Sequence, residues 1–239
     1  MPDLVFNPRA SIRIEKFDDR HFCLVIDDAV LEPERLVQYS ISQRTHFGAV
    51  DFSYYPGNYL MAPDESVATM AEYFQWRVRR HFDSRRVVDL ILRYSMATLL
   101  PEALRPIQWV CHRDDVGLDA GLSMQASVLY LFRDQRLGGT SFYVPARPKA
   151  EIEALFTDTR QMTADAFAAK YGIAAGYMRA GNEYFRRIGG VAPKWNRLIF
   201  YDGGMLHSSA IPEPERLTSD PLTGRLTLNG FFTSRRNLR

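Results

Sequence analysis

The chain has 239 residues, 46% of them hydrophobic, 13% aromatic and 24% charged, which is enough apolar material for one well-buried core, at a length where β-rich folds are commonly a single domain, here 1–239. A formal net charge of +2 is too small to argue for a nucleic-acid partner, and two cysteines, Cys23 and Cys111, provide neither a disulfide framework nor a cysteine-based zinc site. The opening Met1-Pro2-Asp3-Leu4-Val5-Phe6 lacks the basic and apolar regions of a signal peptide, and no apolar run reaches membrane-spanning length. The expectation is a soluble, cytoplasmic protein with no membrane partner.

Residues 12–16 alternate, Ile12 and Ile14 against Arg13 and Glu15, which predicts a short strand. Phe22-Cys23-Leu24-Val25-Ile26 predicts a buried strand ending in Asp27-Asp28. A helix starts at Glu32-Pro33-Glu34, with proline in its first turn and acids at its N-terminus. The aromatic stretch 46–59, with Pro56-Gly57-Asn58, reads as a loop, either packed on the core or lining the entrance to a site. Asp64 is the expected N-cap of a second helix through Met70, Phe74 and Val78.

From residue 87 the period changes to that of strands, expected at 87–98, 108–113, 124–132, 140–144, 196–202 and 224–233. Gly138-Gly139 between two of these runs suits a hairpin turn. Residues 149–190 are alanine-rich, contain Glu183-Tyr184-Phe185-Arg186-Arg187, and predict two or three helices inserted before the last strands. The insertion carries Ile152, Leu155, Phe156, Phe167, Tyr171, Ile173, Tyr177, Met178, Tyr184 and Phe185. These are too many apolar side chains for a solvated helix pair, so they bury against the body of the protein, a substrate or a second subunit. The insertion is therefore expected to be a lid or a homodimer surface. The basic end, Arg235-Arg236-Asn237-Leu238-Arg239, reads as a solvated tail.

The chemistry-bearing residues fall within the strand runs. Trp109-Val110-Cys111-His112-Arg113-Asp114 reads as the end of an extended segment, where residues i and i+2 face one way. His112 and Asp114 can then grip one ion from one side, with Cys111 turned away into the core. His207 closes a second apolar run, 197–207, and can complete the grip. Two histidines and a carboxylate on one face of a metal leave the other face open. The His-x-Asp spacing arises by chance in about half of chains of this composition, so its setting at strand ends carries the weight. Asp115 is a rival ligand that alternation places on the far face. Arg225, Thr227 and Asn229 share one face of the last strand, Leu226 and Leu228 the other. If the polar face looks inward, Arg225 is a buried cation needing an anion, and its planar fork suits a carboxylate, with the Thr227 hydroxyl beside it. If it looks outward, Arg225 is an ordinary solvated arginine.

Taken in order, the strand with Asp27-Asp28 before a proline-started helix, His112-Arg113-Asp114, Tyr130-Leu131, Gly138-Gly139-Thr140-Ser141-Phe142, His207 and Arg225 resemble the Fe(II)/2-oxoglutarate-dependent oxygenase superfamily, nearest its prolyl-4-hydroxylase-like branch, over most of residues 20–235. That branch usually has lysine where Arg225 stands, while arginine followed two residues on by serine or threonine is common elsewhere in the superfamily. The resemblance implies a mainly β fold with flanking helices: a double-stranded β-helix, or cupin-like jelly-roll, with N-terminal helices and a helical insertion. It implies Fe(II) held by His112, Asp114 and His207, and 2-oxoglutarate as co-substrate. Tyr130 would hydrogen-bond the co-substrate, and Arg225, assisted by Thr227, would pair its distal carboxylate. The carboxylate ligand argues for hydroxylation of a small-molecule or peptide substrate rather than halogenation. Two other readings remain open. One is a cupin-like metal enzyme that does not use 2-oxoglutarate; the other is a jelly-roll binding module whose histidines are structural.

Overall fold

The computed structural model describes residues 4–49 and 55–237. The alternating start forms strand β1 (Arg13–Lys16). Asp18 turns the chain back by accepting the backbone N–H groups of Arg20 and His21, both at 2.8 Å, and β2 (Phe22–Ile26) pairs antiparallel with β1. Helix α1 (Pro33–Ser42) starts on its proline and buries Leu36 and Val37. The aromatic stretch is not loop throughout: its end forms β3 (Gly57–Met61), while its residues 50–54 lie outside the described residues. Helix α2 (Asp64–Tyr73) is capped by Pro63, so Asp64 is its first helical residue rather than its N-cap. The coil continues through a wide π turn (Phe74–Val78) and a 3-10 turn (Arg79–His81). Met70, Phe74 and Val78 are all fully buried on one face, as their spacing requires.

The long strand β4 (Arg86–Ala97) follows. The strand expected at 108–113 is instead helix α3 (Pro106–Trp109) and a short extended segment. Proline at the first helical position and the Gln108 side chain accepting from the Arg105 N–H at 2.8 Å start that helix. Then come β5 (Leu122–Tyr130) and β6 (Gly139–Pro145). They do not form a hairpin, since β5 belongs to one sheet and β6 to another. Gly138 makes the passage at φ +80, and a Cβ there would lie 2.1 Å from the Ala210 carbonyl oxygen.

The insertion holds helices α4 (Lys149–Gln161) and α5 (Ala164–Tyr171). Its last part is not helical: Phe185–Val191 is strand β7, which pairs with β6. The chain ends with β8 (Arg197–Asp202), β9 (Leu206–Ala210) and β10 (Arg225–Arg235). Of the basic end, Arg235 completes β10 and the Arg236 guanidinium lies 2.9 Å from Asp83, with both residues exposed. Leu238 and Arg239 lie outside the described residues. No described helix is long and apolar enough to cross a membrane.

All pairings are antiparallel. The seven-stranded sheet has the order β1-β2-β8-β5-β10-β4-β3, and the three-stranded sheet β7-β6-β9. Alternation divides the large sheet into two faces. Leu24, Phe200, Leu129, Leu228 and Tyr94 turn outward onto Leu36, Met70 and Phe74 of the N-terminal helical region. Val25, Tyr201, Ala126 and Tyr130 turn inward to meet Phe142 and Val191 of the small sheet. A third cluster sets Ile152, Leu155, Phe167 and Tyr171 of the insertion against Trp109, Val110, Cys111 and Leu206. All ten apolar residues of the insertion lie in or against this cluster, so they bury within the chain itself. The insertion is the backing of the His112 segment and supplies a strand of the small sheet. Leu155→Ala, at a fully buried position, should cost about 2–5 kcal/mol, read as a lowered urea midpoint at unchanged m-value. A change within error would mean that α4 is peripheral.

Candidate metal centre

Three segments converge between the sheets. β8 ends at Asp202, and Gly203-Gly204 carry the chain across to the small sheet, so His207 is the second residue of β9 and not the end of β8. The 110–114 segment runs beside β9. His112 and His207 exchange both backbone hydrogen bonds, at 2.9 and 2.8 Å, and the Asp114 N–H donates to the Gly203 carbonyl at 2.7 Å. Backbone pairing, rather than a full strand, therefore sets the spacing. His112 Nε2 lies 3.8 Å from Asp114 Oδ1, and His207 Nε2 lies 3.5 Å from Asp114 Oδ2. One ligand atom from each of the three residues lies within 4.8 Å of the others. Small side-chain rotations would close these gaps to the ~3 Å between neighbouring ligands ~2.1 Å from a metal. Asp115 is outside the cluster, its carboxylate 3.5 Å from the Arg113 guanidinium.

The protonation states suit a cation. His207 Nδ1 donates to the Met205 carbonyl at 2.9 Å, which fixes the ring proton there and leaves the Nε2 lone pair for the cluster. Tyr201 meets the His207 ring edge-on at 4.8 Å. Burial pushes the His207 imidazole down to about 4. Burial, and His207 beside it, push His112 down as well, although half of its side chain stays open to solvent. Asp114 Oδ2 is buried with no hydrogen-bond donor among the described residues, and burial pushes its carboxyl up to about 6. An unsatisfied carboxylate between two neutral imidazoles fits a divalent ion.

The signs give a pH prediction. Metal binding must displace the Asp114 proton below about pH 6, while His207 stays neutral down to about 4. Zinc affinity should fall about tenfold per pH unit across that window in the wild type. In Asp114→Asn it should be weaker and flat. A parallel slope in both would assign the proton to a histidine.

Beyond the triad, the inner face of the large sheet supplies the other expected residues. Register places Thr227 between Tyr130 and Ser95, and Asn229 between Val128 and Arg93. Arg225 is 2% exposed, so its face looks inward. Its Nε donates to the carbonyls of Leu137 at 2.9 Å and Gly138 at 3.2 Å, and Nη2 donates to Gly139 at 3.1 Å. None of these partners is charged. Tyr130 is fully buried, its hydroxyl 2.8 Å from Thr140 Oγ1. The Thr227 hydroxyl donates to the Ser95 carbonyl at 3.3 Å. Sequence reasoning missed Tyr201 against His207, and it gave Tyr55, whose hydroxyl adjoins Arg225 and Thr227, only as part of the aromatic stretch 46–59. Alternation along 197–202 could have turned Tyr201 inward; nothing local singles Tyr55 out from the other aromatic residues of its stretch. Two cavities elsewhere, of about 420 and about 570 Å³, contain none of the triad, Tyr130, Arg225 or Thr227.

Two facing antiparallel sheets with a His-Asp-His cluster between them define a β-sandwich protein with a candidate mononuclear metal site. The chain belongs to the family of unknown function DUF6445, whose model matches residues 8–232. No curated protein matches it. Among solved structures, the non-heme alpha ketoglutarate dependent epimerase SnoN from nogalamycin biosynthesis matches with a TM-score of 0.50 at 12% identity, covering 90% of this chain and 81% of that one. HygX from Streptomyces hygroscopicus, with nickel and 2-oxoglutarate bound, matches with a TM-score of 0.43 at 11% identity, covering 90% and 83%. The likeness to SnoN is one of fold.

Proposed function

We propose that this protein is an Fe(II)- and 2-oxoglutarate-dependent oxygenase on a double-stranded β-helix, hydroxylating a small molecule or an amino-acid or peptide side chain. The observation that carries the reading is the Asp114 carboxylate, its Oδ2 buried and unsatisfied, facing the imidazoles of His112 and His207 across 3.5–3.8 Å. The shared fold with SnoN and the inward, uncompensated Arg225 support it. Arg225 also sets this chain apart from the lysine of the prolyl-4-hydroxylase-like branch.

His112, Asp114 and His207 would hold the metal on one side and leave the other open. Fe(II), when bound, supplies O2 activation and the oxidative decarboxylation of 2-oxoglutarate. The chain's own part is to bind, orient and keep dry. Arg225, itself buried, receives the distal carboxylate of 2-oxoglutarate through a charge-assisted hydrogen bond. Thr227 and Tyr130 offer hydroxyls beside it; Tyr130 can donate to a carboxylate while accepting from Thr140. Tyr201 and Phe142 wall the cluster with apolar surface. His207 is held in one tautomer by Met205, so no proton moves at its liganding nitrogen.

The test is succinate release on adding O2 to protein preloaded anaerobically with Fe(II) and 2-oxoglutarate, together with calorimetric titration of 2-oxoglutarate. Metal binding without 2-oxoglutarate binding would replace this reading with that of a metal enzyme using another co-substrate. Binding of neither would leave a structural sandwich.

A further inference from the structure

Arg93 is a second cation on the inner face of the large sheet, and nothing in the site described so far uses it. On β4 it stands opposite Asn229 of β10 on one side and Met61 of β3 on the other. Directly paired residues point the same way, so Arg93 shares its face with Thr227, Asn229 and Phe231. Its guanidinium carbon lies 4.4 Å from the centre of the Tyr59 ring and 4.7 Å from that of Phe231. These rings come from the strands on either side of β4. Both rings lie within cation–π reach of the guanidinium, whose N–H groups point outward in its plane.

The Arg93 Nε–H lacks a partner. Arg93 Nε is buried with no acceptor among the described residues, and Asn229 Oδ1 and Ser95 Oγ, on the same face, are buried and unsatisfied too. Leaving a buried donor of a charged group unmade is costly, and clustered orphans of this kind mark a place for a polar ligand or ordered water. The position is near the metal cluster, since the charge of Arg93 bears on both His112 and Asp114.

Arg225 and Arg93 leave the backbone at different ends of the face, although both charges reach the Tyr55 hydroxyl. Arg225 pairs with Ala97, four positions along β4 from Arg93, a separation of ~13 Å along the strand. A 2-oxoglutarate spanning the metal and Arg225 has both carboxylates engaged and leaves Arg93 over. A planar guanidinium accepts a carboxylate through two parallel N–H···O bonds.

We propose that Arg93 binds a carboxylate of the substrate to be oxidised, so that the substrate is an organic acid whose apolar or aromatic body lies against Tyr59 and Phe231. This rests on the 2-oxoglutarate reading of the site, which assigns the co-substrate to Arg225.

The test uses benzoate as probe and benzamide as its uncharged counterpart, titrated calorimetrically into the full chain loaded with nickel and 2-oxoglutarate. Benzoate should bind, and benzamide should bind at least about tenfold more weakly. Arg93→Gln should lower benzoate affinity by at least about tenfold and change 2-oxoglutarate affinity far less. Arg93→Met, which keeps an apolar stem beside the rings, should do the same and guards against a folding defect in the first variant. Failure of the wild type to bind benzoate, or equal binding by both variants, overturns the proposal. So does loss of 2-oxoglutarate binding in the variants, because Arg93 would then hold the co-substrate. A wild type that binds benzoate through Arg93 but never binds 2-oxoglutarate would keep the carboxylate site and overturn the oxygenase reading instead.

Discussion

Asp114→Ala should weaken Fe(II) binding by more than about a hundredfold, beyond the ten- to hundredfold usual for losing a residue that only supports a ligand. Asp114 is the one anion in the cluster, and without it the metal would meet two uncharged imidazoles. The same substitution should not harm the metal-free protein. The folded-state carboxyl is raised to about 6 from its ordinary value of 3.8. Its favourable contribution is therefore complete below the unfolded value and is lost as pH rises through about 6, where ionisation of a buried, unsatisfied group opposes folding. Above that pH, metal-free Asp114→Ala should melt at or above metal-free wild type, while added metal should stabilise only the wild type. Anaerobic Fe(II) titration and thermal melts with and without metal read both effects. Equal affinity in the two proteins would remove Asp114 from the site and return Asp115 to candidacy.

Arg225→Gln should weaken 2-oxoglutarate binding by about thirty- to a thousandfold, equivalent to about 2–4 kcal/mol for removing a charge-assisted hydrogen bond from a dry site. Iron should still bind, because the cluster draws on none of the hydrogen bonds that Arg225 makes. The guanidinium also ties three carbonyls at the passage from β5 to β6, so the variant should lose some stability whether or not a ligand is involved. Co-substrate affinity and melting temperature therefore have to be measured on the same sample. A lowered melting temperature with unchanged 2-oxoglutarate affinity would make Arg225 a structural clamp for residues 137–139 and nothing more.

Much of the fold and of the His-Asp-His cluster was legible in the chain. The runs that became β2, β4, β5, β8 and β10 announced themselves by β-rich composition and alternation, and Met70, Phe74 and Val78 by helical spacing. The i, i+2 relation brought His112 and Asp114 to one face even though that segment is no full strand, because extended backbone alone alternates its side chains. Alternation also grouped Arg225, Thr227 and Asn229.

What local pattern left open was which way a face points and which strand lies beside it. The inward setting of Arg225 follows from burial between two sheets. Arg93 became visible only through the β4–β10 register and the rings of Tyr59 and Phe231 from neighbouring strands. Tyr184-Phe185-Arg186-Arg187 suits a helix as well as a strand by composition, and pairing with β6 decides it. The run 197–207 reads as one strand, yet Gly203-Gly204 divide it between two sheets, and that division lets His207 face His112. Side-chain alternation is a property of a few consecutive residues, so sequence alone determined it. Sheet membership and facing depend on pairing between distant segments, whose register is chosen by the core they jointly bury, and only the tertiary structure decided that.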